Sequence, residues 1–311
     1  MNTVGQTPGS ARVPLDPLRQ IEHAVALIRV GKLVAFPTET VYGLGANALD
    51  ALAVERIFLA KGRPRASPLI VHVDSIAMAR GLAAEWPEAA DVLSRRYWPG
   101  PLTLVVPKRP LVPDIVTAGL PTVGLRMPAH PLALALIRAA GVPIAAPSAN
   151  RFTELSPTAA AHVAEALADF VLDGGPSQVG IESTVVSLAG EPVLLRPGVI
   201  PLPEIEALIG PVRVAPPPRE AAHPAPGMHA RHYRPKTPLY LLRDCDRLPD
   251  GCGAWLRIGR ELPAEPRACA AALYAALHRL DRQGFDWIAV ERPPDTPEWA
   301  GVLDRLQRAA V

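Results

Sequence analysis

The 311-residue sequence predicts a mixed α/β protein, a twisted sheet with helical cover followed by a smaller second α/β unit. Three observations carry this. Short apolar runs of strand length alternate with stretches of helical periodicity from residue 16 to about 210. Between about 170 and 196 several strands follow one another without helices, which argues against a purely doubly wound sheet. From 211 to 237 prolines crowd a segment without periodicity, and the alternation resumes beyond it.

Residues 1–15 carry no pattern and read as a disordered tail. DPLRQIEHAVALIRVG (16–31) is a helix, with Asp16 as N-cap, Pro17 in the first turn, Ile21, Val25 and Ile28 on one face, and Gly31 as the stop. KLVAFPT is a strand ended by Pro37, and FPTETVYGLGANA (36–48) then enters a glycine-containing loop. A helix around 51–60 precedes a strand at 69–73, helices near 75–84 and 87–97, and a strand at 102–106. Strand 123–127, helix 131–140 and the apolar segment 143–147 follow. SPTAAAHVAEALAD (156–169) reads as a helix with Ser156 as N-cap and Pro157 at its first position, and FVLD, STVVSL and PVLLR as strands. The second unit, 238–311, holds strands LYLL, AWLRIG and WIAVE, a helix over 266–283 and a last helix over 297–310.

Composition narrows the function classes. Hydrophobic residues make up 49% and charged residues 20%, as in a globular enzyme, and the net charge of +2 does not suit a protein that wraps duplex nucleic acid or coats a membrane. Cys245, Cys252 and Cys269 lack CxxC spacing, so neither a disulfide framework nor a zinc knuckle is expected. The start of the chain has no apolar signal region, and no run reaches the roughly 18 apolar residues of a membrane helix. A cytoplasmic location is the expectation. Neither GxxxxGK[ST] nor GxGxxG occurs, which excludes the two common glycine-rich nucleotide loops.

Anion binding must then come from local clusters. In KGRPRASPLIVHV (61–73), Lys61, Arg63 and Arg65 fall within five positions. A cation at Lys61 suits the C-terminal end of a helix, but capping does not account for Arg63 and Arg65. Lys offers a point charge and Arg a forked donor, a useful combination around a polyphosphate. His72 interrupts the following strand at the parity opposite to Val71 and Val73, where a structural histidine is equally at home. Thr38, Thr40 and Tyr42 put three hydroxyls on one side if their segment stays extended, which also describes a plain strand with a polar face. Arg126 lies within an apolar strand and needs an anionic or carbonyl partner. PIAAPSAN empties a strand into small residues beside Ser148 and Asn150, and Ser183, Thr184 and Arg196 complete the donors. His229 and His232 have no third partner at metal-site spacing.

Six motifs in this order, FPTETVYGLGANA, KGRP…PLIVHV, VGLRMP, APSAN…SPT, STVV and LLRPG, resemble the L-threonylcarbamoyl-AMP synthase family in its long form. That resemblance implies a YrdC-like catalytic domain over 16–210, a proline-rich linker over 211–237 that acts as an active-site lid, and a small Rossmann-like domain over 238–311. It implies condensation of L-threonine, bicarbonate and ATP, with Mg²⁺ riding on the nucleotide, to threonylcarbamoyl-AMP and pyrophosphate. A separate transferase would pass the product to tRNAs that read ANN codons. By the same resemblance Lys61 and Arg63 are the catalytic pair. They bind ATP together with Ser67, Thr122, Ser148, Asn150, Ser156, Arg196 and Tyr233. Thr40, His72, Arg126, the backbone at Ala146, and Ser183 would surround threonine.

The chain departs from the family pattern at Ser67, where Asn is usual, and at Arg151-Phe152-Thr153, where x-Ser-Gly is usual. Ala225 replaces the Ser of SPGM, and the last helix lacks its preceding GLG. An RNA-binding module using the same basic cleft, or a relative that binds nucleotide without turnover, are the competing readings, and weak RNA binding is compatible with the enzyme.

Overall fold

The computed structural model describes residues 16–216, 233–243 and 246–311. The expected tail, most of the expected linker with His229 and His232, and Cys245 lie outside the described residues. The first unit runs α1 (Pro17–Arg29), β1 (Val34–Phe36), β2 (Gly43–Asn47), α2 (Ala51–Lys61), β3 (Ile70–His72), α3 (Ile76–Leu82) and α4 (Glu88–Tyr97). It continues with β4 (Leu102–Pro107), α5 (Asp114–Thr117), β5 (Thr122–Arg126), α6 (Pro131–Ala140) and β6 (Ile144–Ala145). Then come β7 (Phe170–Val171), β8 (Thr184–Ser187), β9 (Val193–Arg196), α7 (Leu202–Ile209) and β10 (Arg213–Val214). These strands form one mixed sheet in the order β10-β9-β8-β4-β5-β3-β6-β2-β1-β7. The second unit has β11 (Leu239–Leu242), β12 (Gly253–Leu256), α8 (Pro266–Leu280), β13 (Trp287–Glu291) and α9 (Ala300–Ala309), its three strands parallel in the order β11-β13-β12.

Local chemistry accounts for the elements that frame the site. Asp50 caps α2 by accepting from the Leu52 and Ala53 amides, and Gly62, at φ +62°, ends that helix in the left-handed region a glycine adopts freely. Arg63 is thereby turned out of the helix axis. Parallel strands β3 and β5 pair with His72 in register with Arg126, so both side chains leave the same face of the sheet.

Three sequence expectations are corrected. Residues 156–169 hold a single 3₁₀ turn, Ala160–His162, rather than an α-helix. The carbonyls of Pro157 and Thr158, which a first helical turn would use, instead accept the amides of Tyr42 and Ser177, so tertiary pairing overrides the alanine-rich propensity. GLGAN is not a loop but β2, paired antiparallel with β1 and β6. A side chain at Gly45 would lie 2.7 Å from Phe36 and 2.8 Å from Ile144, so that glycine marks close packing rather than a turn. Of Thr38, Thr40 and Tyr42 only the first two share a side, their hydroxyls 2.8 Å apart, while the Tyr42 hydroxyl turns to Gly175 O. The Thr38 hydroxyl takes the Thr40 and Val41 amides and donates to the Val41 carbonyl, folding the segment into a tight turn.

The two units share a hydrophobic cluster. Val41, Leu155, Ile181 and Tyr233 pack with Leu273, Leu277, Val302 and Leu306. A β-carbon at Gly301 of α9 would lie 2.5 Å from the Gly198 carbonyl oxygen, so only glycine allows this helix to seat there.

Candidate active site

A cavity over the sheet face is lined by the turn 38–41 with Gly43, by Ile70 and His72 of β3, by Arg126 at the end of β5, and by residues 146–148 beyond β6. Arg63, Glu182, Arg196 and Tyr233 complete it. Eight of the residues expected for substrate therefore line one space: Thr40, Arg63, His72, Arg126, Ala146, Ser148, Arg196 and Tyr233. The other six are not among its lining residues.

Lys61, the last residue of α2, is 4% exposed, and its ammonium donates to the carbonyl of Ser148 at 2.6 Å and to that of Asn150. It ties the 148–150 loop to α2 and retains one donor. Burial first, then the neighbouring Arg63 charge, pushes its pKa well below the ordinary lysine value. Asn150 is buried, with its amide nitrogen on the Arg151 and Glu154 carbonyls and its side-chain oxygen without a partner among the described residues. Ser67 is fully buried, its amide on Pro64 O, and Thr122 begins the strand that Arg126 ends. Ser183 sits beneath Arg196, its carbonyl accepting two guanidinium nitrogens at 3.0 and 3.1 Å and its hydroxyl 3.1 Å from one of them.

Arg63 is 7% exposed and donates to Pro68 O at 3.2 Å. Its Nε has no partner among the described residues, and its guanidinium stands over the Phe152 ring at 5.9 Å. Burial lowers its pKa to about 10, so it stays a cation at neutral pH. Arg65 points away, 71% exposed and paired with Glu55.

His72 is 3% exposed, its ring edge-on to Phe36, and its Nδ1 has no partner among the described residues. Burial, reinforced by Arg126, lowers its pKa to about 3, which makes it a neutral imidazole facing the cavity. Arg126 is held from behind by Glu39, 2.7 Å from its Nη2, and Glu39 also accepts the Ala129 amide. Tyr42 leaves the site altogether, its hydroxyl donating to Gly175 O at 2.7 Å.

Sequence reasoning missed two acids and one arginine. Glu39 and Glu182 follow no motif that singles out a carboxylate, and Arg305 lies 123 positions from Glu182, the partner it touches at 2.7 Å. Glu182 also accepts from Ser156 at 2.5 Å and lies 3.3 Å from the Tyr274 hydroxyl. Burial alone would raise its pKa, but Arg305 and Arg196 hold it below the ordinary carboxylate value. Both acids are thus engaged, and the cavity presents three guanidinium groups. Such a lining suits one or more anionic groups, fixed by charge-assisted bonds in a site of restricted water.

The chain and its fold resemble known proteins. A family model described as "Telomere recombination" (Sua5, YciO, YrdC) matches residues 26–198, and one described as "Threonylcarbamoyl-AMP synthase, C-terminal domain" matches residues 200–311. The chain is 44% identical to the threonylcarbamoyl-AMP synthase of Pyrococcus abyssi, over 94% of each chain. It is also 44% identical to that of Bacillus subtilis, over 95% of this chain and 93% of the other. The crystal structure of P. abyssi Sua5 complexed with L-threonine superposes with a TM-score of 0.88 at 42% identity, covering 96% of both chains. E. coli YciO covers 60% of this chain, at a TM-score of 0.52 and 25% identity.

Proposed function

Since the chain belongs to the threonylcarbamoyl-AMP synthase family and is an enzyme of the nucleotidyltransferase class, we propose that its cavity condenses L-threonine, bicarbonate and ATP. The products are threonylcarbamoyl-AMP and pyrophosphate. The observation that carries this reading is the convergence of Arg63, Arg126 and Arg196 on one cavity whose only lining acid among the described residues, Glu182, is already paired.

The threonine amine first adds to bicarbonate with loss of water, giving a carbamate. A carbamate oxygen then attacks the α-phosphorus in line, and the bond to the departing pyrophosphate breaks. Neither step needs a covalent enzyme intermediate, so positioning and charge stabilisation supply the rate. Arg126, braced by Glu39, takes the threonine carboxylate. Neutral His72 accepts or donates a hydrogen bond at the amino acid's polar groups, with Thr40, the Ala146 backbone and Ser183 around them. Arg63 and Arg196 face the phosphates with the remaining Lys61 donor, and Ser148, Asn150, Ser156, Ser67 and Thr122 complete the nucleotide side.

Among the described residues no group of three or more His, Cys, Asp or Glu could hold a metal ion, and Glu39 and Glu182 are held by arginines. Mg²⁺ in this reading would come bound to the triphosphate and would supply charge neutralisation there, beside Arg63 and Arg196. The cavity measures about 50 Å³, against roughly 300–1,000 Å³ for sites that enclose small ligands. Tyr233, 1% exposed, forms part of its wall, and in this reading the proline-rich linker would be the lid that admits nucleotide and then shields the labile carbamate. A separate transferase would carry the product to tRNA. Among the described residues no helix is long and apolar enough to cross a membrane, in keeping with a cytoplasmic site of action.

The test is pyrophosphate release with threonine, bicarbonate and ATP omitted in turn, and with serine in place of threonine. All three substrates should be required. Arg63→Ala should lower kcat/KM by about 10²–10³. Salt-sensitive RNA binding without any pyrophosphate release would overturn the reading.

A further inference from the structure

We propose that Arg305, on the last helix of the small unit, is a positioning residue for the phosphate subsite. By neutralising the Glu182 carboxylate, it lets the cavity present net positive charge to the nucleotide. This inference rests on the nucleotide reading above.

An acid in the wall of a polyphosphate site is a liability. Unpaired, Glu182 would repel phosphate oxygens and compete with them for the neighbouring arginines. Arg305 removes that conflict. Its side chain is fully buried, its Nε lies 2.7 Å from Glu182 Oε2, and its Nη2 donates to the Glu182 carbonyl at 3.2 Å. The Nη1 donates to Pro197 O at 3.0 Å, the carbonyl next along the chain from Arg196, so one guanidinium grips both strand ends that frame the subsite. Asp304 also faces Arg305, at 2.6 Å, but it is shared with Arg308, 2.8 Å away on the next turn of α9. The other groups around the pair are Ser156, Tyr274, the Tyr233 ring, which lies 5.3 Å from the Arg305 guanidinium carbon, and the Arg196 charge, whose attraction to Glu182 is weaker than that of Arg305.

Arg305 reaches this depth because Gly301, one turn earlier, brings α9 against Gly198. Burying an ion pair gains little stability over an apolar pair of similar volume, whereas removing one partner strands the other charge. The arrangement is therefore better explained by what it does to the charge of the cavity than by stability.

Steady-state pyrophosphate release by the full-length enzyme, with KM measured separately for ATP and threonine, tests this in Arg305→Met, Glu182→Gln and the double variant. Arg305→Met should raise the ATP KM about 10–100-fold and the threonine KM by less. The double variant should match Glu182→Gln within about twofold, because a neutral residue 182 no longer needs the arginine. Loss of α9 packing alone predicts a loss on removing Arg305 whichever residue stands at 182, and a merely structural ion pair predicts a lowered thermal midpoint with the ATP and threonine KM moved alike. An unchanged ATP KM in Arg305→Met, or a double variant as far below Glu182→Gln as Arg305→Met is below the native enzyme, would overturn the inference. Should Arg305→Met fail to fold, the double variant against Glu182→Gln decides alone by the same criterion. If the native enzyme releases no pyrophosphate from ATP, the nucleotide reading falls and this inference with it. If it does and the cycle shows no coupling, only the role of Arg305 falls.

Discussion

Arg126 faces the cavity already bound to Glu39, and that pair sets what a substitution there costs. Both side chains are under a tenth exposed, so Glu39→Gln leaves a guanidinium in low dielectric without its countercharge. The expected loss is about 3 kcal/mol in chemical denaturation, far more than the change of one atom suggests. His72 makes a second prediction at this scale. Its folded pKa, lowered by burial to about 3 from the ordinary 6.5, means that the unfolded chain binds the extra proton between those values. The contribution is fully present above 6.5 and is lost as pH falls through the window, with a slope near 1.4 kcal/mol per pH unit. His72→Gln should flatten the stability–pH profile by about that slope below pH 6.5. An unchanged profile would mean that His72 is hydrated and titrates normally.

Among the elements, the helices and strands read from periodicity recur close to their expected places, because their apolar spacing is a local property. The failures are non-local. Residues 156–169 have the composition of a helix, yet their carbonyls are claimed by Tyr42 and Ser177. The glycines of GLGAN looked like loop punctuation but allow β2 to pack on Phe36. Lys61, Arg63, Arg126, Ser148 and Asn150 could be singled out from chemistry at short range, in paired cations, a charge within an apolar strand and small residues after a strand, whereas Ser67, Thr122 and Tyr233 came only from the resemblance. Glu39, Glu182 and Arg305 could not, because each is defined by a partner 87 or more positions away. The element most exposed to a single change is α9. Gly301→Val would drive a branched side chain into Gly198. Pyrophosphate release should then fall together with the thermal midpoint, whereas an enzyme of native activity and midpoint would show that α9 tolerates a shifted seat.

At the scale of the whole molecule, the large unit carries Arg63, Arg126 and Arg196, and the small unit touches it through Arg305 on Glu182 and, apart from the cavity, through the stacked His162–His278 rings, 4.0 Å apart. The inference drawn above makes the small unit a contributor to the charge of the cavity. The common cluster that joins Val41, Ile181 and Tyr233 to Leu273, Val302 and Leu306 has a thermodynamic meaning as well. Two sheets ordinarily suggest two independent melting events, each with its own enthalpy. Here the two units cannot part without exposing that common seam. A calorimeter should accordingly record one endotherm for the pair, with equal van't Hoff and calorimetric enthalpies, and two resolved peaks would show that the seam yields first.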